Sequence, residues 1–361
     1  MKKILFVFNH PAYYKVRLLN ELAKEYDLTV IFERDKNANR NKKFYDEQNF
    51  NFKLIKIKGI KISNENIFSN GVKNHIKNNK YDLIIMNGYS NFAEMIAINY
   101  LKKHHINYCL YINGGIINEN EPSWKRKLKR KYISGANSYM SPDLNSNKYL
   151  EFYGADKNRI YNYTYSTVYE NEILNKILSK EETNAIRENL GYHSKNIYIS
   201  CGQLIKRKNY QKLIKSWPQN NDDLLLIVGE GKEEETIKNY LKENNVENVK
   251  LLGYLARKDI FKLYQISDAF IFASQEDIYG HVINEAMSQG LPVISTTNVN
   301  SSKKLIKENF NGVFLKTIDE DNIKKALEEI KNCKKENSLL TAKENTIEKM
   351  VKDNIKIING L

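Results

Sequence analysis

At 361 residues and 41% hydrophobic content, the chain exceeds one typical domain and can supply the cores of two. Its net charge of +14 suggests a nucleic-acid partner, but the composition is rich in lysine, asparagine and isoleucine, a bias that raises the charge without a functional cause. Its three cysteines lack metal-ligand spacing, and no apolar run reaches the roughly 20 residues that span a bilayer. These features favour a reduced, cytoplasmic protein.

Short apolar runs alternate with helix-period segments along the chain, a pattern typical of parallel sheets covered by helices on both faces. The first half contains the predicted strands Ile4–Phe8, Leu28–Phe32, Phe52–Ile57, Leu83–Met86, Tyr108–Ile112 and Ser138–Ser141. The second half contains the predicted strands Asn196–Ser200, Leu224–Val228, Val249–Leu252, Ala269–Phe272, Pro292–Ser295 and Gly312–Leu315. The first run follows two lysines, but it is too short for a signal peptide and predicts a strand.

Two comparable sets of strands predict two doubly wound domains that face each other across a cleft. The predicted domains are residues 1–165 and 166–343. An amphipathic helix is predicted over residues 344–361, because apolar residues recur there at helical spacing: Ile347, Met350, Val351, Ile355 and Ile358.

Two loops of the first domain are candidates for contact with a polar ligand, because each follows a predicted strand. In the loop after the first strand, Tyr13 and Tyr14 can stack on a sugar, although packing explains them equally well, and Arg17 adds a polar group. The loop after Tyr108–Ile112 holds Asn113, Gly114 and Gly115. The asparagine offers a polar contact, and the glycines allow close approach of the backbone.

A strongly basic segment follows in the first domain, with six basic residues among the seven from 125 to 131. These are Lys125, Arg126, Lys127, Lys129, Arg130 and Lys131. Trp124, Leu128 and Tyr132 are spaced to share one helix face. An amphipathic basic helix with aromatic anchors suits an anionic membrane surface, whereas RNA binding or a solvated helix packed by its apolar stripe would use the same residues.

The second domain opens with a strand that ends at Gly202 and a basic loop that leads into a helix near Asn209. Arg207 and Lys208 precede that helix, where they can neutralise a diphosphate that the helix N-terminus also attracts. The turn Gly229–Gly231 after the next strand is better explained by tight packing than by a ligand. A further turn, Gly253–Leu255, follows the strand at Val249–Leu252.

The segment from 276 to 295 is the most informative of the chain. Asp277 and Glu285 lie eight positions apart, with a turn at Gly280 between them and a helix around Glu285. Carboxylates accept pairs of hydrogen bonds from vicinal hydroxyls, and a glycine turn lets backbone N–H groups approach phosphate. The pattern predicts a site for a polar, polyhydroxylated ligand.

This segment, together with the order of the preceding glycine and basic motifs, resembles the family 4 retaining glycosyltransferases of bacterial polysaccharide, capsule and lipopolysaccharide synthesis. The resemblance spans nearly the whole second domain and implies the GT-B fold, an α/β architecture of two Rossmann-like domains, with the last helix crossing back to the first. It implies a retaining, metal-independent hexosyl transfer from a nucleotide-sugar, most often UDP- or GDP-linked. No other cofactor and no nucleic acid are expected. The acceptor would be a glycan or a lipid-linked glycan. The protein would be cytoplasmic, and peripheral association with the inner face of the cell membrane would suit such an acceptor.

The resemblance also implies roles for individual residues. Glu285 would hold the ribose, Asp277 the donor sugar, and Arg207 with Lys208 the diphosphate. The remaining donor contacts would come from Gly202, Gly253, Tyr254, Leu255, Glu276, Ile278, Tyr279, Gly280, His281 and Val282.

The chain departs from the family pattern at four places. Pro11, Ala12 and Tyr13 stand where many relatives have a pair of glycines. Gln203 follows Gly202 where relatives often have arginine. Asp277 stands where glutamate is usual, with Glu276 beside it as the other candidate for the first acid. The loop at Asn113 lacks the histidine of many relatives, so no catalytic histidine is expected.

Two alternatives use the same residues differently. A GT-B sugar-nucleotide epimerase would need an acid and a base in the first domain, where the sequence shows no obvious pair. A basic nucleic-acid or membrane-binding module would account for the charge but not for the order of the second-domain motifs.

Overall fold

The structure, a computed structural model, describes residues 1–35, 49–63, 66–220 and 222–361. It divides into two compact units. Unit 1 comprises Met1–Tyr165 and Ile347–Leu361, and unit 2 comprises Ser166–Thr346. Within the described ranges, every helix is too short or too polar to cross a membrane.

Unit 1 is built on a seven-stranded parallel sheet whose helices lie between successive strands. In chain order its elements are β1 (Lys3–Phe8), α1 (Tyr13–Leu22), β2 (Asp27–Phe32), β3 (Lys53–Lys56), β4 (Ile60–Lys61), β5 (Ile67–Phe68), α2 (Gly71–Asn78), β6 (Leu83–Met86), α3 (Phe92–Lys103), β7 (Cys109–Tyr111), α4 (Ser123–Ile133), β8 (Ser138–Ser141), α5 (Leu144–Phe152), β9 (Ile160–Asn162) and, at the end of the chain, α14 (Ile347–Gly360). The strand order is β3-β2-β1-β6-β7-β8-β9. The order in which successive strands are added reverses between β1 and β6. These two strands pair in parallel, with Ile4 opposite Leu83.

All six strands predicted for the first half are present, and the described part of unit 1 contains three further strands that are not evident from the sequence. Strand β9 is a three-residue edge strand with one partly buried and two exposed residues, so it lacks a continuous apolar run. Strands β4 and β5 form a two-residue antiparallel hairpin outside the main sheet. Pairs this short leave no recognisable periodicity in the sequence.

Helix α14 packs against α1 and is tied to the rest of unit 1 by hydrogen bonds. The Lys2 ammonium donates to the Ile358 carbonyl at 2.8 Å, and the Thr164 backbone N–H donates to Asp353 Oδ2 at 2.9 Å. The buried face of α14 includes Asn354, whose amide donates to the Met350 carbonyl. The apolar spacing alone does not predict a buried asparagine there.

Unit 2 is built on a six-stranded parallel sheet. In chain order its elements are α6 (Lys180–Asn189), β10 (Asn196–Cys201), α7 (Tyr210–Lys215), β11 (Asp223–Val228), α8 (Glu234–Glu243), β12 (Val249–Leu251), α9 (Arg257–Ile266), β13 (Ala269–Phe272), α10 (Val282–Ser288), β14 (Val293–Thr296), α11 (Asn300–Leu305), β15 (Gly312–Leu315), α12 (Glu320–Glu329) and α13 (Lys335–Lys343). The strand order is β12-β11-β10-β13-β14-β15, and all six strands match those predicted for the second half.

The core of unit 2 explains why its strands are apolar throughout. Ile199 and Phe270 belong to one buried layer, whereas their neighbours Tyr198 and Ile271 belong to another. Successive side chains of a strand point to opposite faces of the sheet, and here both faces are covered. The sheet is therefore packed on both faces, and the loops that follow its strands begin from a buried core.

Candidate functional site

The predicted site residues of unit 2 lie where the order of its sheet reverses. The reversal falls between β10 and β13, which pair in parallel from Tyr198 with Ala269. The loop 202–209 follows the carboxyl end of β10, and the loop 273–281 follows that of β13. In open α/β sheets, ligands bind outside the carboxyl ends of the strands at such a reversal.

The first of these loops presents Arg207 and Lys208 on a short 3₁₀ turn, Lys206–Lys208. Asn209 follows with a left-handed backbone, φ 64°, and α7 begins after it. The side chain of Lys208 is only 9% exposed, and its ammonium lies 4.2 Å from the centre of the Phe272 ring. The Arg207 side chain is 42% exposed. One buried and one accessible cation therefore stand side by side.

Both cations contact the same carboxylate oxygen, Oδ2 of Asp277. Lys208 donates to it through a short hydrogen bond, and Arg207 Nη1 lies 3.3 Å away. The other oxygen of Asp277 accepts the backbone N–H of Tyr279 at 3.2 Å. The backbone of Asp277 also pairs with the segment at Val299, so the carboxylate is held from both sides of the loop. The structure thus joins the predicted first acid to the predicted phosphate-binding bases.

Burial and the ion pair act in opposite directions on the pKa values of Asp277 and Lys208. Burial raises the pKa of Asp277, but the ammonium of Lys208 and the guanidinium of Arg207 outweigh burial and hold that pKa below its ordinary value. Burial lowers the pKa of Lys208, and Asp277 offsets part of this effect. Asp277 is therefore an anion throughout the neutral range.

Glu276, the alternative first acid, is placed differently. Its side chain is exposed, and its backbone carbonyl accepts from Arg207 Nη1 at 3.3 Å and from Ser274 Oγ at 2.8 Å. Only the carbonyl of Glu276 takes part in the basic cluster. The side chain that reaches the cations belongs to Asp277.

Glu285 lies in the first turn of α10 and is held by residues that the sequence did not single out. Its Oε1 accepts from the Thr167 hydroxyl at 3.0 Å and from Arg257 Nε at 3.4 Å. Arg257, at the start of α9, also pairs with Glu172 and donates to the Thr167 carbonyl at 3.2 Å. The position of a basic residue two places after the turn Gly253–Leu255 was the only signal in the sequence that could have pointed to Arg257.

The turn between the two acids requires glycine at position 280. Gly280 has φ +92°, in the left-handed region, and a Cβ there would lie 2.9 Å from Val299 Cγ1 and 3.0 Å from Ser301 Oγ. The ring centres of Tyr279 and His281 lie 4.9 Å apart, and Val282 begins α10. Ile278, by contrast, is largely exposed.

The glycines of the neighbouring loops have a packing role. A Cβ at Gly229 would lie 1.9 Å from the Gly202 carbonyl oxygen, and a Cβ at Gly231 would lie 2.3 Å from the carbonyl oxygen of Leu204. The Gly229 N–H donates to the Gly253 carbonyl at 2.8 Å. The turn after β11 therefore nests against the loops after β10 and β12.

The turn at 253–255 follows the carboxyl end of β12, beside the loops after β10 and β11. Gly253 has φ +67°, and the side chains of Tyr254 and Leu255 are half-buried, with Leu255 packed against the core. Among the described residues, His, Cys, Asp and Glu side chains nowhere group in threes that could hold a metal ion.

In unit 1, the residues predicted for the acceptor side occupy two places: Tyr13, Tyr14 and Arg17 lie at the start of helix α1 and not in the loop before it, whereas 113–115 lie in the loop after β7. Tyr13 and Tyr14 contact each other edge to face with ring centres 5.5 Å apart, and the Arg17 guanidinium lies 5.5 Å from the centre of the Tyr13 ring. Asn113 donates to Asn87 Oδ1 at 3.4 Å. Gly114 has φ +136°. A Cβ at Gly115 would lie 2.4 Å from the Tyr149 ring, so Gly115 is required for packing.

Unit 1 also contains a buried polar cluster that the sequence did not reveal. Lys15 Nζ donates to Asn9 Oδ1 at 2.9 Å and to Asn87 Oδ1 at 3.1 Å. The two asparagines follow the carboxyl ends of β1 and β6, where the order of this sheet reverses, and Lys15 reaches them from α1. Only the position of Asn9 and Asn87 directly after apolar runs could have indicated them.

Two buried carboxyl groups, Glu33 and Glu94, lie at the same edge. Asn91 donates to Glu33 Oε2 through its amide at 2.6 Å and to Glu94 Oε2 through its backbone N–H at 3.0 Å. Burial, together with the nearby Glu94 carboxylate, raises the pKa of Glu33 to about 9, and burial raises the pKa of Glu94 to about 7. The spacing Asn91-x-x-Glu94 is a helix N-terminal signal that the sequence did contain.

The basic segment forms helix α4. Some of its basic side chains contact unit 1, and the others face outward. Lys129 pairs with the buried Glu121 at 2.7 Å, and Arg126 Nη2 donates to the Glu119 carbonyl at 2.7 Å. Tyr132 is buried, whereas Trp124 is 64% exposed. The outward-facing residues are Trp124, Lys125, Lys127, Leu128, Arg130 and Lys131. The predicted apolar stripe is therefore buried only at its end.

The candidate site of unit 2 lies within a segment that matches the model of a known protein family. Residues 181–349 match the model of the family described as glycosyl transferases group 1. Those residues include Arg207, Lys208, Asp277 and Glu285.

Two curated relatives share sequence similarity with the chain. Spore coat protein SA of Bacillus subtilis (strain 168) is 31% identical over 144 residues, which cover 36% of this chain and 37% of the relative. An Escherichia coli UDP-Gal:alpha-D-GlcNAc-diphosphoundecaprenol alpha-1,3-galactosyltransferase is 32% identical over 139 residues, which cover 36% of this chain and 35% of the relative. The matches thus span little more than a third of each relative.

Solved structures resemble the chain over its whole length. Alr3699/HepE of Anabaena in complex with UDP has a TM-score of 0.78 and 16% identity, covering 99% of this chain and 100% of that protein. The same protein in complex with UDP-glucose has a TM-score of 0.74 and 16% identity, with full coverage of both chains. The two parallel-sheet α/β units and these neighbours show that the fold is GT-B, as the resemblance implied.

Proposed function

We propose that the protein is a nucleotide-sugar-dependent glycosyltransferase that transfers a hexosyl group to a glycan or lipid-linked glycan of a bacterial surface polysaccharide, with retention of anomeric configuration. One observation carries the proposal. Arg207, Lys208 and Asp277 form one ionic cluster at the carboxyl edge of β10 and β13, and Glu285 lies in the first turn of the helix that follows β13, all inside the segment that matches the family model.

The chemistry of the site residues suits this reaction. Lys208 and Arg207 would bind the diphosphate and stabilise the charge that develops on it as the glycosidic bond breaks. Glu285, held in place by Thr167 and Arg257, would accept hydrogen bonds from the ribose hydroxyls. In a retaining transfer, the departing phosphate oxygen takes the proton of the acceptor hydroxyl on the same face of the sugar. Two cations can supply the electrostatic role of a metal ion, so we propose a metal-independent reaction.

UDP is the nucleotide that we propose for the donor. The neighbour from Anabaena was solved with UDP and with UDP-glucose, and the relative from Escherichia coli carries UDP-Gal in its name. GDP-sugars remain the second choice. The turn at Gly253–Leu255 offers backbone groups to a base edge, and any base can use them.

Thermal stabilisation by nucleotide-sugars tests the proposal. Binding to the folded state raises the melting temperature by mass action, and UDP-sugars are expected to raise it while ADP- and CMP-sugars leave it unchanged. Glu285→Ala and Arg207→Ala should abolish the shift. Glu328→Ala, which removes an exposed carboxylate of α12, is the matched control. Wild-type protein that is stabilised by none of the panel and transfers no sugar would refute the proposal.

A sugar-nucleotide epimerase is the second candidate, because Glu33 and Glu94 supply the pair of carboxyl groups that the sequence did not show. One carboxyl group that holds a proton beside one that has lost it can act as acid and base. The two functions differ in their need for an acceptor. Incubation with UDP-glucose alone, followed by NMR of the sugar, should yield no epimer if the protein is a transferase.

We also propose that α4 brings the enzyme to an anionic membrane surface. Its outer face combines the exposed Trp124 and Leu128 with lysines, the composition of helices that lie in the headgroup region. Binding to vesicles containing phosphatidylglycerol should fall in the double variant Trp124→Ala/Leu128→Ala. The double variant Lys77→Gln/Lys80→Gln, on exposed positions of unit 1, should bind as the wild type does.

The basic-module alternative makes an opposite prediction. Salt-sensitive RNA binding that survives Glu285→Ala, together with no binding of nucleotide-sugars, would favour the module over the enzyme. Loss of nucleotide-sugar binding in Glu285→Ala would favour the enzyme.

A further inference from the structure

The basic pair expected to hold the donor diphosphate is neutralised by an anion of the protein itself. Lys208 contacts Asp277 and the Phe272 ring, and within the described part of the chain it has no second carboxylate partner. Arg207 contacts the same oxygen of Asp277. Because Lys208 and Asp277 are both largely buried, water screens their interaction only weakly.

A diphosphate that binds to Lys208 must therefore compete with Asp277. Once a phosphate oxygen has taken over the ammonium, the Asp277 carboxylate stays buried next to a second anion and has lost its main counter-charge. Such a carboxylate is unfavourable unless other donors satisfy it. Sugar hydroxyls are suitable donors, because a carboxylate accepts charge-assisted hydrogen bonds from them.

We propose that Asp277 is a displaceable counter-ion that makes the site prefer an intact nucleotide-sugar over the nucleoside diphosphate product. The inference rests on the proposed function and assigns a second role to a residue of that site. An intact donor brings hydroxyl groups that satisfy the released carboxylate. The product has lost the sugar, and its terminal phosphate carries additional negative charge near neutral pH. The same carboxylate therefore repels the product and speeds its departure.

The ratio of the dissociation constants for UDP and UDP-glucose measures this preference directly. Isothermal titration calorimetry without acceptor gives both constants for the wild type and for Asp277→Asn, which keeps an oxygen to accept the Tyr279 N–H. We expect Asp277→Asn to bind UDP more tightly and UDP-glucose no more tightly. The ratio should fall by on the order of tenfold, as expected for removing one charge close to another in a partly buried site.

Three further variants isolate the effect. Asp277→Glu keeps the charge and should keep the ratio of the wild type. Glu276→Gln removes the neighbouring charge, which does not reach Lys208, and should leave the ratio unchanged. Glu328→Gln removes one exposed charge of α12 and controls for net charge. A fall in the ratio in Glu276→Gln and not in Asp277→Asn would overturn the proposal.

The design separates this inference from the proposed function. If the wild type binds neither UDP nor UDP-glucose, the proposed function fails and the counter-ion role fails with it. If the wild type binds both and Asp277→Asn leaves the ratio unchanged, only the counter-ion role fails. Melting curves establish that each variant is folded. Should Asp277→Asn not fold, the double variant Asp277→Asn/Lys208→Gln, which leaves neither charge buried, must show a lower ratio than Lys208→Gln.

Discussion

Replacement of Gly280 by alanine should destabilise unit 2 substantially, for two separate reasons. The backbone at Gly280 has φ +92°, and a residue with a Cβ pays about 1–2 kcal/mol to adopt the left-handed region. The new Cβ would also lie within 3.3 Å of Val299, Ser301 and Phe272, all of which are buried. Overpacking of this kind costs about 1–3 kcal/mol, so the expected loss is about 2–5 kcal/mol.

Gly191→Ala is the matched control for the backbone contribution. Gly191 has φ +71°, and among the described residues nothing lies within 4 Å of a Cβ built there. Its substitution should cost only about 1 kcal/mol. Urea unfolding followed through the buried Trp217, which reports on unit 2, measures both losses. Equal losses for the two variants would show that the packing around Gly280 is not as tight as the distances indicate.

Three further predictions concern charged residues. Lys208→Met should lower the free energy of unfolding by about 1–3 kcal/mol, because the buried carboxylate of Asp277 then keeps only the more exposed Arg207 as a counter-charge. Arg207→Met, at an accessible position, should cost less than about 1 kcal/mol. Urea unfolding compares the two variants. Arg257→Lys should raise the KM for the donor several-fold with a smaller effect on kcat. Lysine cannot bridge the carboxylates of Glu172 and Glu285 as the planar guanidinium does. Steady-state kinetics of this single variant measures both constants. Glu33 has a pKa of about 9 in the folded state and about 4.5 when unfolded, so it holds its proton more tightly when folded. The free energy of unfolding should therefore fall as the pH rises from about 5 to 9. Glu33→Gln should reduce this pH dependence in melting curves recorded across the range.

The sheets of both units could be predicted because their strands are buried on two faces. Runs such as Ile4–Phe8 and Leu224–Val228 are apolar at every position, and only a covered parallel strand accommodates such a run. The edge strand β9 was not predicted because its residues are partly exposed. The hairpin of β4 and β5 was not predicted because strands of two residues show no alternation of apolar and polar residues.

The candidate site, too, could be predicted from the sequence only in part. The order of Gly202, Lys208, Asp277 and Glu285 along the chain was sufficient to place them at one edge of a sheet, because parallel strands end together. Which side chains touch depends on loop conformation, which the order does not specify. The pairing of Asp277 with Lys208, and the contact of Arg257 with Glu285, required the structure.

Unit 1 is discontinuous in the chain, and this affects the order in which the protein can be assembled. Its last helix, α14, is synthesised only after all of residues 166–346, which takes about 10–35 s at the usual rate of translation. During that interval the side of α1 that α14 covers stays open to solvent, while unit 2 has every residue that it needs. Unit 2 is therefore expected to mature first, and a nascent chain halted before Ile347 would carry a folded unit 2 beside an incomplete, aggregation-prone unit 1.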